Sequence, residues 1–172
     1  ANSFEGYKFI LGRGVYHKNE AMHFTQNYML LTGEESSNSS AVKIVCMTEI
    51  CLEAVGVNDK LPSIANILFE SGNTSSQERR VAIVASGNSV GARGVTLTNC
   101  TFRYFPDSAV WLQSISNPVV ISSSQFIENS AFQVGSLDGG ALRLDSTPDV
   151  TIKDTVFSHN KAGNAGGAIF VI

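Results

Sequence analysis

The chain of 172 residues has the length of one domain, which is enough to bury a continuous core but short for two independent ones. Only 16% of its residues are charged, and 15 glycines stand against 4 prolines, a composition typical of a tightly turned, sheet-rich protein rather than a disordered one. The net charge of −3, with only small basic clusters such as Arg79-Arg80, excludes a nucleic-acid partner, and no apolar run approaches the roughly 20 residues of a membrane span.

The three cysteines are Cys46, Cys51 and Cys100. They lack the spacing of metal ligands, and their odd number leaves at least one thiol free unless it pairs between chains. A bridge between Cys46 and Cys51 and a set of buried free thiols are both open from the sequence. No stretch keeps helical periodicity over several turns, and we expect at most a short turn or capping segment at residues 49–57.

A repeat begins near residue 64. In each of four segments an aliphatic residue is followed two positions later by Asn, Ser or Asp and five positions later by Phe; the segments are 64–69, 97–102, 121–126 and 152–157. Their phenylalanines, Phe69, Phe102, Phe126 and Phe157, are 33, 24 and 31 residues apart. That spacing indicates one coil of a solenoid with loops of variable length.

A second class of strand recurs between these segments, at residues 82–86, 109–113, 141–145 and 168–172. Because successive side chains of a strand face opposite sides, alternate residues are predicted to point inward and to form ladders from coil to coil. In this strand class the predicted inward pairs are Ile83/Ala85, Val110/Leu112, Leu142/Leu144 and Ile169/Val171. A second aliphatic ladder is predicted from Val95/Leu97, Val119/Ile121 and Val150/Ile152. The four phenylalanines are predicted to form an aromatic ladder.

These ladders predict an all-β fold, a single-stranded right-handed parallel β-helix with variable loops. One domain spans residues 1–172, with entry coils at 1–60 and regular coils at 61–172. A jelly roll or sandwich is the competing fold, but it does not explain matching residues at coil-length spacing. The chain ends inside a strand, so we expect an uncapped C-terminal coil, which either continues in a longer chain or associates with another protomer into a filament.

Asn66, Asn99, Ser123 and Asp154 occupy equivalent positions and are predicted to lie at a turn, where aligned asparagines can bond to one another. Three sequons begin at Asn38, Asn73 and Asn99, and they are glycan acceptors if the protein is secreted by a eukaryote. The first two lie in Ser/Asn-rich stretches that are typical of exposed loops. Asn99 ranks last, because a side chain stacked inside a turn cannot easily hold a glycan.

The C-terminal third contains two copies of a paired motif. Phe126-Ile-Glu-Asn129 precedes Gly139-Gly-Ala-Leu142, and Phe157-Ser-His-Asn160 precedes Gly166-Gly-Ala-Ile169. They resemble the FxxN and GGA[ILV] repeats of polymorphic outer-membrane (Pmp-like) adhesins, within the pectin-lyase-like β-helix superfamily. Residues 10–16 and 29–33 resemble the entry coils of that superfamily. The resemblance implies a β-helix, and it implies no single function, because the superfamily contains lyases, hydrolases, adhesins and structural members.

The outward strand positions are where a β-helix would place a ligand or partner face. One predicted row contains Val84, Trp111, Arg143 and Phe170, with Gln113 and Asp145 beside it. Aromatic and Arg side chains can stack sugar rings or anchor a partner chain, so Trp111, Arg143, Phe170, Gln113 and Asp145 are the candidate face. A covering loop and a surface salt bridge between Arg143 and Asp145 are the structural alternatives.

The sequence supports an enzymatic role less well than a binding face. Asp107, Asp138 and Asp145 are the only plausible carboxylate set near one face, and their spacing matches no hydrolase. The histidines, His17, His23 and His159, are dispersed, and a calcium site at Asp138-Gly-Gly rests on one acidic turn. We therefore predict no catalytic residues, no cofactor and no metal. The expected function is an extracellular or cell-surface structural or adhesive role, with self-association through the C-terminal coil. The alternatives are a polysaccharide lyase or hydrolase and a glycan-binding module.

Overall fold

The computed structural model describes residues 7–24, 29–34, 41–55, 63–72, 79–87, 94–116, 118–132 and 138–172. The strands follow one another around a column in successive coils. The first coil consists of β1 (Tyr7–Leu11), β2 (Gly14–Lys18) and β3 (Met22–His23), and the second of β4 (Met29–Gly33), β5 (Val42–Cys46) and β6 (Ile50–Val55). The third consists of β7 (Ser63–Ala65), β8 (Leu68–Ser71) and β9 (Val81–Ser86).

The fourth coil consists of β10 (Thr96–Thr98), β11 (Thr101–Arg103) and β12 (Val110–Gln113). The last two coils each contain an additional short strand. The fifth has β13 (Val119–Ser122), β14 (Gln125–Ile127), β15 (Ser130–Ala131) and β16 (Leu142–Asp145), and the sixth has β17 (Val150–Lys153), β18 (Val156–Ser158), β19 (Lys161–Ala162) and β20 (Ile169–Val171).

The strands form three parallel sheets that run along the column. Sheet A has the order β1-β4-β7-β10-β13-β17, sheet B has the order β2-β5-β8-β11-β14-β18, and sheet C has the order β3-β6-β9-β12-β16-β20, while β15 pairs with β19. Each strand pairs with the strand one coil away, in register. The predicted β-solenoid is therefore confirmed, and the sandwich alternative is excluded because its strands would pair antiparallel.

The core consists of the predicted ladders. In sheet B the rings of Phe69 and Phe102 stack with centroids 5.3 Å apart, those of Phe102 and Phe126 at 4.8 Å, and those of Phe126 and Phe157 at 4.9 Å. The aliphatic ladders of sheets A and C face this stack and are buried through coils three to five. On the sixth coil, Ile152 and Val171 keep the predicted register but are 37% and 63% exposed.

Two expectations about residues 46–57 are decided by the structure. The turn or capping segment expected at residues 49–57 is wrong, because Ile50–Val55 is strand β6, with Leu52 and Ala54 buried and paired with β9. Cys46 and Cys51 form a disulfide across the corner between β5 and β6, whereas Cys100 is a buried free thiol. Burial raises the pKa of the Cys100 thiol to about 12, so it stays protonated.

Candidate functional site

The predicted row lies on the outer face of sheet C. Trp111 pairs with Val84 on one side and with Arg143 on the other, and Arg143 pairs with Phe170. Gln113 and Asp145 face each other in the neighbouring column. The register of the row is therefore as predicted, since side-chain direction alternates along each strand. Trp111, Arg143 and Phe170 are partly exposed, Gln113 is exposed, and Asp145 is almost buried.

Trp111 is held by the next coil. Its indole Nε1 donates a hydrogen bond of 2.9 Å to Oδ2 of Asp145, and Nε of Arg143 donates to both oxygens of the same carboxylate at 3.0 Å. The guanidinium carbon of Arg143 lies 5.0 Å from the Trp111 ring centroid and 5.9 Å from that of Phe170, which is within cation–π range. The row is thus an ordered cluster, and one carboxylate orients both the indole and the guanidinium.

Arg79 is a further member of this cluster. Its guanidinium carbon lies 5.8 Å from the Trp111 ring centroid, and its Nε donates to Oδ2 of Asp107 at 2.8 Å. Asp107 is 1% exposed, and its Oδ1 accepts a 2.7 Å hydrogen bond from the amide of Ser108. The sequence interpretation missed this role of Arg79, because the residue lies before β9 and outside the repeated strand pattern.

The three candidate carboxylates for hydrolysis, Asp107, Asp138 and Asp145, each bind partners within the protein. Asp107 binds Arg79, and Asp145 binds Trp111 and Arg143. Oδ1 of Asp138 accepts hydrogen bonds from Nδ2 of Asn164 at 2.9 Å and from the amide of Ala165 at 3.0 Å. These contacts join neighbouring parts of the fold, so the carboxylates stabilise turns and the outer row.

A second polar network lies on the outer face of sheet B. The carboxylate of Glu70 accepts from Nζ of Lys43 through one oxygen and from the guanidinium of Arg103 through the other, and so it connects three coils. Glu70 and Arg103 directly follow the aligned Phe69 and Phe102, and this alignment of opposite charges was the signal available in the sequence. On sheet C, Nδ1 of His23 lies 2.9 Å from Oε2 of Glu53, in the column that also contains Trp111.

The Glu70 network predicts a loss of stability in acid. Burial raises the pKa of Glu70, but the hydrogen bonds and charges of Lys43 and Arg103 outweigh it and hold the pKa below its ordinary value. The stabilisation is therefore full above about 4.3, the pKa of an unperturbed glutamate, and is lost as the pH falls through the lowered folded value. Urea unfolding from pH 7 to pH 2 should show wild type about 1–2 kcal/mol more stable than Glu70→Gln at neutral pH, with the difference vanishing in acid.

The control for that measurement is Glu34→Gln. Glu34 forms an exposed pair with Arg13 at 3.9 Å, so its replacement should change stability little at any pH. Equal pH profiles for Glu70→Gln and wild type would contradict a stabilising role for the Glu70 network.

The predicted turn column is confirmed at the corner between sheets A and B. Asn66, Asn99, Ser123 and Asp154 all have positive φ, between 50° and 59°. Nδ2 of Asn99 donates to Oδ1 of Asn66 at 2.9 Å, and Nδ2 of Asn66 donates to Oγ1 of Thr32 at 3.3 Å. The other two sequon asparagines, Asn38 and Asn73, lie outside the described residues, and glycosylation at those two positions stays a prediction. At Asn99, the sequon that ranks last, the turn column argues against a glycan.

We expect Asn99 to remain unmodified when the chain is secreted from a eukaryotic host. Its amide nitrogen, the atom that a glycan would occupy, is engaged in the hydrogen bond to Asn66 once the coils have formed. Mass spectrometry of the peptide that contains Asn99 should show no glycan mass, with the peptides of Asn38 and Asn73 as internal controls. High occupancy at Asn99 would mean that glycosylation precedes formation of the turn column.

The two motif copies have internal roles in the fold. Nδ2 of Asn129 donates to the carbonyl of Phe102 at 3.1 Å and to Oδ1 of Asn160 at 2.9 Å, and Nδ2 of Asn160 repeats the first contact with the carbonyl of Phe126. In the GGA element, Gly140 lies so close to the carbonyl oxygen of Lys161 that a side chain at this position would clash with it. The motif residues therefore connect one coil to the next.

The model of the right-handed β-helix region matches residues 54–172, which is more than half of the chain. The chain belongs to the right-handed β-helix family. Neither the curated proteins nor the solved structures contain a match to this β-helix.

Among the described residues, no group of three or more His, Cys, Asp and Glu side chains is placed to hold a metal ion. The part of the chain that the structure describes contains no helix long and apolar enough to span a membrane. The predicted self-association through the C-terminal coil stays a prediction.

Proposed function

We propose that this β-helix is an extracellular structural or adhesive surface protein. The observation that supports the proposal most is that the carboxylates of Asp107 and Asp145 are bonded to other side chains of the protein. Asp107 and Asp145 fix Arg79, Trp111 and Arg143 into one rigid patch. General acid–base catalysis needs groups that can exchange protons with a substrate, whereas adhesion needs a rigid surface that presents aromatic and Arg side chains.

Cysteine use supports the extracellular location. Cys46 and Cys51 form a disulfide in the structure, and disulfides persist mainly in oxidising compartments such as the cell exterior. Both cysteines are fully buried, which protects the bond from reductants. A secreted location is the simplest setting in which this bond would form during folding.

The likeness to Pmp-like adhesins supports an adhesive role over a purely structural one. In the two motif copies Asn129 and Asn160 stack between coils, and Gly140 sits against the neighbouring backbone. These residues connect consecutive coils, whose strands pair in register. A column of this kind displays a linear array of side chains, which suits contact with an extended partner surface.

Adhesion is tested with protein-coated beads on immobilised extracellular-matrix proteins and on epithelial monolayers under flow. We expect wild-type beads to be retained more strongly than albumin-coated beads, and a double variant, Arg143→Gln with Phe170→Ala, to lose most of that retention. The matched control is Gln125→Ala, which alters an exposed side chain of sheet B on another face. A panel of acidic and neutral polysaccharides, assayed for new reducing ends and unsaturated products, tests the enzymatic alternative.

The outcomes separate the two functions. Retention that depends on the outer row, with no product from any polysaccharide, supports adhesion. Product release by the intact protein would overturn the proposal in favour of a lyase or hydrolase. Retention no better than that of albumin would remove the adhesive role.

The glycan-binding alternative is favoured by one feature, a partly exposed indole flanked by Phe170 two coils away. Trp111 is the only tryptophan of the chain, so its fluorescence reports on this cluster alone. We expect emission to stay unchanged with neutral and acidic oligosaccharides, because guanidinium groups of Arg79 and Arg143 already lie over the ring. A saturable shift with one sugar would establish a glycan site here.

A further inference from the structure

The outer row of sheet C brings two arginines to one indole. The guanidinium carbons of Arg143 and Arg79 lie 5.0 Å and 5.8 Å from the ring centroid of Trp111. Two like charges repel one another at such a site, and a carboxylate beside each guanidinium offsets this cost. Asp107 pairs with Arg79, and Asp145 pairs with Arg143. We call Trp111, Arg79 and Arg143 the arginine patch.

In the arginine patch the cations are more exposed than the carboxylates that pair with them. The side chain of Asp107 is 1% exposed and that of Asp145 is 12% exposed. The side chains of Arg79 and Arg143 are 34% and 20% exposed. A partner that approaches this face of sheet C therefore meets the guanidinium groups before it meets the carboxylates.

Both guanidinium groups keep donors for a further acceptor. Nε of Arg79 donates to Oδ2 of Asp107 at 2.8 Å, and Nε of Arg143 donates to both oxygens of Asp145 at 3.0 Å. Within the described part of the chain, no hydrogen bond of either group uses a terminal nitrogen. Because a guanidinium has five N–H donors, the two terminal nitrogens of each group remain for a partner.

The two carboxylates are also held by donors other than the arginines. Oδ1 of Asp107 accepts a hydrogen bond of 2.7 Å from the amide of Ser108, and Oδ2 of Asp145 accepts one of 2.9 Å from Nε1 of Trp111. Each carboxylate is thus oriented by a neutral N–H group and holds its guanidinium in place before a partner arrives. Such preorganisation reduces the entropy that is lost on binding.

From this geometry we infer that the arginine patch binds the side-chain carboxylates of an acidic segment in a protein partner. The paired N–H groups at the end of a guanidinium match the two oxygens of a carboxylate. Guanidinium groups lie over the indole, so a uronic acid ring cannot stack on Trp111 without displacing them. A carboxylate on a flexible side chain reaches the terminal nitrogens directly. The inference rests on the proposed adhesive function and names the partner chemistry of its outer row.

The binding test is an NMR titration of the 172-residue protein with a peptide of alternating Glu and Gly. The matched neutral ligand is the same peptide with Gln in place of Glu. Trp111 is the only tryptophan of the chain, so a single indole N–H resonance reports on the arginine patch. We expect this resonance to shift with the Glu peptide and to stay in place with the Gln peptide. Added salt should weaken the binding, because exposed charges are screened.

Substitutions assign the binding to the guanidinium groups. Arg143→Gln should weaken binding of the Glu peptide about tenfold, as expected for the loss of one charge-assisted contact. Arg143→Lys keeps the charge beside Asp145 but loses the paired donors, so its affinity should lie between those of wild type and Arg143→Gln. The matched control is Arg103→Gln. Arg103 is 34% exposed and pairs with Glu70, but it lies on sheet B, so its replacement should leave the affinity unchanged.

Circular dichroism checks the fold of each variant, and if Arg143→Gln does not fold, the comparison of the two peptides on the wild-type protein decides. Equal shifts with the two peptides, an indole resonance that stays in place with both, or equal weakening by Arg103→Gln would overturn the inference. Tighter binding of tetragalacturonate, which carries its carboxylates on sugar rings, would also overturn it.

The inference and the adhesive function can fail separately. If beads are retained through the outer row but the Glu peptide does not bind, the partner is not acidic and the adhesive function stands. If the Glu peptide binds but beads are retained no better than with albumin, the arginine patch recognises acidic segments and the adhesive function is wrong.

Discussion

Replacing Phe102 by Ala should be among the most damaging single changes in the chain, lowering the free energy of unfolding by about 3–5 kcal/mol. Phe102 is fully buried, and its ring stacks on Phe69 at 5.3 Å and on Phe126 at 4.8 Å. The substitution would leave a cavity in the middle of the aromatic ladder and remove two ring contacts, each worth about 0.5–1.5 kcal/mol. Urea unfolding followed by circular dichroism measures the loss.

The position of Phe102 adds a second consequence. Each coil contacts mainly its neighbours, so a defect in the fourth coil weakens the connection between the two halves of the column. Phe102→Ala should therefore broaden the urea transition as well as shift its midpoint. Phe132→Ala is the control, since Phe132 is 54% exposed and its loss should change stability by less than about 0.5 kcal/mol. Similar midpoints for the two variants would refute the ladder as a main source of stability.

The sequence predicted the parts of the fold that repeat. Phe69, Phe102, Phe126 and Phe157 recur at the spacing of a coil, and in a parallel in-register stack equal positions must lie on one another. The Asn66–Asn99 contact follows from the same alignment. The register between strands of successive coils was therefore predictable. Once one repeated residue is aligned with its equivalent in the next coil, the pairing of every other residue in that strand follows.

The sequence did not predict contacts that depart from the repeat. Arg79 reaches Trp111 and Asp107 from before a strand, so no alignment of strands identifies it. Strand β6 (Ile50–Val55) lacks the recurring Phe and Asn, and its strand character depends on pairing with β9 and on the disulfide rather than on a local pattern. For the outer row, strand alternation predicted which residues face outward. It could not predict the hydrogen bonds and cation–π contacts among their side chains, because alternation specifies only the side of the sheet on which a residue lies.

The candidate site is ordered by contacts that also connect neighbouring coils. Asp145 lies next to Gln113 in register, and its carboxylate turns toward Trp111 and Arg143 in the adjoining column. Such cross-column contacts make the patch rigid, which reduces the conformational entropy lost when a partner binds. A rigid patch on a regular column is the property that the adhesive proposal requires.

Asn129→Ala should lower the free energy of unfolding by about 2–4 kcal/mol, because it leaves buried backbone groups without their partners. Asn129 is fully buried; its Oδ1 accepts from the amide of Phe105 at 3.1 Å, and its Nδ2 donates to the carbonyl of Phe102 at 3.1 Å. Asn129→Asp should be worse still, since it places a carboxylate against that carbonyl and against Oδ1 of Asn160. Asn164→Ala, which removes an exposed hydrogen bond to Asp138, is the control and should cost less than about 0.5 kcal/mol. Urea midpoints should be lowest for Asn129→Asp, higher for Asn129→Ala and close to wild type for Asn164→Ala. That order would establish that the buried side chain of Asn129 stabilises the fold. Equal midpoints for the two Ala variants would show that the FxxN motif serves a role other than stability.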